Sequence, residues 1–261
     1  MNSNIDLDRL SNDEILEIPL SSLSFSLDET WIKNSVKKLF RELSRKGIDF
    51  RPHIWVSTDW FSPDGVAGFA VPFYLLHPKL IALEKKYFFE AEGDTEDELI
   101  KLLRHETAHV LDNAFYLRKN KRRQQLFGNS SEPYPDSYLP QKYSKSFVKN
   151  LEDCYGQSHP DEDWAETFAV WLTPRREWKL KIINNLAKKK LELVDDVMNK
   201  IKNCTPKCKR INEVDSLIND DRTIKDYIEE KQKVKFLKRN SILRKEFNKI
   251  NFSGEGLNKI D

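Results

Sequence analysis

Apolar and polar positions follow several distinct periods along the chain. Residues 30–46 place Trp31, Val36, Leu39, Phe40 and Leu43 at helical spacing, and Gly47 closes the run. Residues 53–57 (His-Ile-Trp-Val-Ser) read as a strand, 58–65 as a loop punctuated by proline and glycine, and 67–76 as extended chain. Pro72 removes one backbone donor from that stretch, which favours an edge strand. Residues 95–117 predict a helix, with Thr95 and Glu98 as a capping box before Leu99, Leu102, Leu103, Val110 and Leu111. Further helices are expected over 141–152, over 161–172 with acidic residues in its first turn, and over 175–202 with Ile183, Leu186, Val194, Val197 and Ile201 on one side. The order of elements predicts an α+β fold: a small twisted sheet early in the chain, then a mostly helical second half. Three parts are expected: a polar, weakly ordered lead-in over 1–25, a main domain over 26–202, and a basic helical appendage over 203–261.

Composition narrows the class without choosing a function. The 261 residues are 39% hydrophobic and 33% charged, and 44 basic against 42 acidic residues leave a net charge of +2. This balance gives no reason to expect a membrane or nucleic-acid partner. Charges interrupt every apolar run short of a membrane span. The start of the chain lacks the basic and apolar blocks of a secretion signal. Three cysteines (Cys154, Cys204 and Cys208) are too few for a disulfide scaffold, so a cytoplasmic protein is expected. The Cys204/Cys208 spacing is read as an ordinary reduced pair. The basic run Arg118–Arg123 and the lysine-rich stretch 231–249 are read as solvated surface.

The chemistry concentrates in His105-Glu106-Thr107-Ala108-His109. Two histidines four residues apart on a helix present both imidazoles on one face, where they can ligate one zinc ion. The glutamate between them sits beside the metal, free to take a proton from water and return one to a leaving group. Catalytic zinc needs a third protein ligand and an open position. Glu162 and Glu166 supply candidates, four apart on the 161–172 helix. One can bind zinc while the other accepts a hydrogen bond from a ligating imidazole. Spacing alone leaves open which does which. His159, before Pro160, is read as a loop or capping residue, and His53 and His77 as structural histidines.

HETAH followed by a downstream ExxxE helix resembles the gluzincin branch of zinc metallopeptidases. Tyr155-Gly156-x5-Glu162-x3-Glu166-x-Phe168 is also similar to the catalytic region of the anthrax lethal factor family. The His-Pro-Asp-Glu-Asp-Trp-Ala-Glu-Thr-Phe-Ala-Val-Trp-Leu block resembles a group of bacterial zinc-binding metallopeptidases. The resemblance spans about residues 50–200 and implies a zincin-like catalytic domain acting on a peptide or protein substrate. Carried over by position, it implies Zn2+ held by His105, His109 and Glu162, Glu106 as general base, Glu166 behind a histidine, and Tyr155 as oxyanion donor. The extended segment around Gly68–Val71 could hold a substrate backbone by strand addition. Two alternatives stand beside peptide hydrolysis: a zinc amidohydrolase acting on a non-peptide substrate, and a non-catalytic zinc-containing binding protein. Glu106 argues against the second, because a structural zinc has no use for a base.

Overall fold

A computed structural model describes residues 5–23, 25–135, 137–174 and 185–237. In chain order its regular elements are α1 (Asn12–Leu16), α2 (Lys33–Arg45), β1 (His53–Ser57), β2 (Gly68–Pro72), α3 (Pro78–Phe88), α4 (Glu96–Phe115), α5 (Lys121–Phe127), α6 (Pro160–Leu172), α7 (Leu186–Ile201) and α8 (224–237). The architecture is helix-rich with a small sheet, compatible with the α+β expectation. Among the described residues no helix is long and apolar enough to cross a membrane.

The sheet has two parallel strands, with His53 opposite Gly68 and Ser57 opposite Pro72. A Cβ on Gly68 would lie 2.4 Å from the His53 carbonyl oxygen, so glycine is what allows the close approach. β2 is not the free edge that Pro72 suggested. β1 flanks one side, and the returning segment Trp60–Ser62 meets it through an antiparallel bridge in which Ala70 N–H donates to the Phe61 carbonyl. All five β2 residues are buried. Pro72 is tolerated because it ends the strand.

α4 is the central element. Thr95 caps it, its side chain accepting from the Glu98 N–H at 3.2 Å, and Glu96, Asp97 and Glu98 lie favourably in its first turn. The return bond of a full capping box, from the Thr95 N–H to the Glu98 carboxylate, is not made. Every residue from Leu102 to Phe115 is buried, so this part of the helix is packed around most of its circumference. α2 packs on one flank through a buried pair: Arg104 donates to both Glu42 carboxylate oxygens at 2.7 and 2.8 Å. α6 packs on another flank, with α7 and α5 behind it. His159 caps α6, its Nδ1 accepting from the Asp161 N–H at 3.1 Å, and Pro160 occupies the first helical position.

Three expectations are corrected. The lead-in is packed over its described residues: α1 has a full capping box at Ser11 and Glu14, and Leu7, Ile15, Ile18 and Leu20 join the core. Its partner is distant in sequence. Leu20 N–H donates to the Arg222 carbonyl and Ile224 N–H to the Ile18 carbonyl, beside the start of α8. Residues 141–152 form no helix, because the N–H groups of Asn150 and Leu151 both donate to the Glu166 carboxylate. The basic run is not wholly solvated, since Arg123 is 2% exposed and Arg118 pairs with buried Asp161 as well as with exposed Asp64. The helix expected over 175–202 appears as α7, and residues 175–184 lie outside the described residues.

Candidate metal centre

α4 and α6 face each other so that three donor atoms converge. His105 Nε2 lies 2.9 Å from Glu162 Oε2, His109 Nε2 lies 3.4 Å from the same oxygen, and the two imidazole nitrogens are 3.2 Å apart. All three residues are buried, and among the described residues they form the cluster of metal-ligand type. A tetrahedral zinc with donors at about 2.0–2.2 Å spaces them by roughly 3.3–3.5 Å, so the triangle fits one such ion. A second observation agrees. Oε2 of Glu106 is buried beside the triad with no hydrogen-bond partner, which is costly unless a further group occupies the adjoining space.

The surroundings hold the donors in place. Nδ1 of His105 donates to Glu166 Oε1 at 3.0 Å, leaving Nε2 facing the triad. Glu166 is itself fixed by the N–H groups of Asn150 and Leu151, at 3.0 and 2.7 Å, and by the Asn150 amide. Tyr134 donates from its hydroxyl to Glu162 Oε1 at 2.6 Å, while its ring stacks on His159 with centroids 3.8 Å apart. Tyr134 carried no signal in the sequence. It lies between two prolines in an irregular loop, and only closure of that loop brings it to α6.

The charge balance follows from these contacts. Burial opposes a charged imidazole at His105, but hydrogen bonds to Glu162 and Glu166 outweigh it and push the pKa up to about 10. Burial also opposes ionisation of Glu162, yet the His109 charge and the bonds to both histidines hold its pKa well below the usual carboxylate range. Glu106 is raised, chiefly by burial. The two imidazoles and the carboxylate thus favour one another's charged forms.

Beneath it lies a buried ion network. Arg123 on α5 donates to Asp112 Oδ2 at 2.7 Å and to Asp161 Oδ1 at 2.8 Å, and its guanidinium lies 4.8 Å from the Trp164 ring centroid. Asp112 is one turn beyond His109, and Asp161 immediately precedes Glu162. One side chain thus ties together the two helices that carry the triad. On the far side of α6, Lys190 of α7 binds Asp163 and the Ser146 carbonyl.

Tyr155 starts a short 3-10 turn before α6, with its ring centroid 5.8 Å from that of His105. A Cβ on Gly156 would come within 3.3 Å of Glu166 atoms, so this glycine lets the turn lie against α6. A cleft opens over the triad in two arms that share Trp60, His105, Glu106 and Tyr155. The larger, of 790 Å³, runs past the start of α4, and the smaller, of 330 Å³, runs past Phe61, Arg118 and Tyr134. Burial raises the Tyr155 hydroxyl, with the carboxylates of Glu162 and Glu106 adding to it, so it stays protonated as a donor.

His53 pairs with Glu213, and His77 caps α3, both away from the cleft. The three cysteines are free thiols. No curated protein matches the chain. No solved structure matches it either. A family model matches residues 93–245, which is more than half of the chain and contains both triad helices, and the chain belongs to that family, described as "Putative zinc-binding metallo-peptidase".

Proposed function

We propose that the chain is a zinc-dependent peptidase with a gluzincin-type centre in a zincin-like domain. The observation that carries this reading is the convergence of His105, His109 and Glu162 beside a Glu106 carboxylate oxygen that is buried and unpartnered. The three donors would hold the metal, leaving room for water and substrate. Zinc in such a position supplies Lewis-acid polarisation of a carbonyl and a lowered pKa for water.

The chain's own residues do the rest. Glu106 accepts the proton of the attacking water and passes it to the leaving amine nitrogen; burial raises its pKa, which makes it the stronger base. Glu166 keeps His105 in one tautomer and one orientation. Tyr134 holds the second oxygen of Glu162. Tyr155, protonated and lining both arms, donates to the oxygen of the scissile carbonyl as its charge grows. The two-armed cleft favours a chain passing across the centre over a compact amide. The neighbouring Trp60–Ser62 segment, rather than β2, is the backbone beside which an extended substrate would lie.

The test is cleavage of a mixed peptide library by the zinc-loaded protein, read by mass spectrometry with and without chelator. New termini that vanish with chelator and in Glu106→Gln are expected. A library left intact by the zinc-loaded protein would overturn the reading.

A further inference from the structure

The segment between β1 and β2 meets the sheet at one point. In the antiparallel bridge to Ala70, Phe61 turns its backbone groups toward β2, so Trp60 and Ser62 turn theirs the other way. The Trp60 N–H donates to the Asp59 carboxylate at 2.9 Å, and the Ser62 hydroxyl donates to the Gly68 carbonyl at 3.2 Å. Among the described residues the Trp60 carbonyl and both backbone groups of Ser62 have no partner. Trp60, Phe61 and Ser62 line the smaller arm beside His105, Glu106 and His109. An unpaired edge thus runs past the metal centre, and one bridge to β2 is little to hold it.

What holds it is a side chain from the metal-bearing helix. Asn113 lies one turn beyond His109 on α4 and is 6% exposed. Its Oδ1 accepts from the Gly65 N–H at 3.2 Å, and its Nδ2 donates to the carbonyls of Pro63 and Val66 at 2.9 and 3.1 Å. One amide therefore takes the place of three backbone partners for the turn that follows the edge. Asparagine is a poorer helix former than alanine or leucine, and its burial in α4 is tolerable only with these bonds. Residues 207–210 back the same turn. The Cys208 thiol donates to the Gly65 carbonyl at 3.1 Å and the Ala67 N–H to the Arg210 carbonyl at 2.6 Å, while the N–H groups of Lys207 and Cys208 meet on the Ala114 carbonyl of α4.

We infer that Asn113 is a positioning residue: it fixes the Trp60–Ser62 edge beside the cluster of His105, His109 and Glu162, so that an extended chain pairing with the edge crosses the centre. The inference rests on the peptidase reading for the chain it positions, but the placement of the edge is tested separately. Amide hydrogen exchange over 61–70, read by mass spectrometry on zinc-loaded protein, should be about tenfold faster in Asn113→Ala than in wild type, with α6 unchanged and Asn113→Ser between the two. A labelled octapeptide from the cleaved library, titrated by fluorescence anisotropy into zinc-loaded Glu106→Gln protein, should bind about tenfold more weakly once Asn113→Ala is added, because the edge must then be ordered on binding. Methylating the peptide's backbone amides one at a time should weaken binding by about fivefold at the most sensitive position, and by less than about twofold there in the Asn113→Ala protein. A residue that only supports the fold would leave the two methylation penalties equal, and that result would overturn the inference. So would exchange over 61–70 unchanged from wild type, or loss of zinc in Asn113→Ala, which would make Asn113 a support of α4 itself. A wild-type protein that cleaves no peptide sinks the peptidase reading, while faster exchange over 61–70 in Asn113→Ala keeps Asn113 as the residue that places the edge.

Discussion

The helices α4 and α6 and the loop between α5 and α6 contribute to the same cleft by different means. On the helices, the groups around the triad are buried and, Glu106 apart, tied: Arg104 to Glu42, Arg123 to Asp112 and Asp161, His105 to Glu166. The described residues of the segment 128–159 are mostly irregular, and two of the tyrosines it brings to the cleft, Tyr134 at 56% and Tyr155 at 37%, remain exposed. Groups that must converge on an ion are held by rigid elements, and groups that must meet a substrate are carried by chain that can adjust. Substitutions on the helices should therefore cost metal or stability, and substitution of Tyr155 in the loop should cost turnover alone.

Glu106→Gln breaks the pattern most sharply, since the role proposed for this helix residue is purely chemical. It should lower kcat/KM by roughly a thousandfold or more and leave metal content and melting temperature near wild type. Loss of metal together with activity would make Glu106 a structural residue. Arg123→Met comes next, because it leaves Asp112 and Asp161 buried without their cation. Unfolding measured by urea titration should show a loss of about 3–5 kcal/mol. A change below about 1 kcal/mol would show that Arg118 substitutes for it.

Glu166→Gln is a smaller perturbation of the same framework. Competition with a chromophoric chelator should show zinc affinity reduced by about 10–100-fold. An unchanged affinity would show that His105 is oriented without it. Tyr155→Phe should touch the framework least, lowering kcat by about a hundredfold with KM, metal content and stability little altered. An equal fall in stability would place Tyr155 with the framework instead.

The same contrast explains what could be read from the chain. β1, α4 and α6 were legible because each carries a local signature: alternation at His53–Ser57, a threonine cap and apolar period at α4, an acidic first turn at α6. The pairing of His105 with His109 is local too, being one helical turn. The rest depends on long-range contacts. Leu7, Ile15 and Leu20 look sparse in a polar stretch, and their packing depends on residues some two hundred positions away. The stretch 141–152 has helix-compatible residues, yet its N–H groups do more for the fold at Glu166 than in a helix. Arg123 reads as one of a basic run until Asp112 and Asp161 close around it. Tyr134 reaches Glu162 only through closure of the loop, and no spacing rule marks that.

Metal content of the purified, zinc-reconstituted protein, by plasma mass spectrometry, tests the convergence of His105, His109 and Glu162 most directly. About one zinc per chain is expected for wild type and for Glu106→Gln, and far less for His109→Ala. Zinc well below one per wild-type chain, or zinc retained in full by His109→Ala, would contradict the assignment of this cluster as the metal centre.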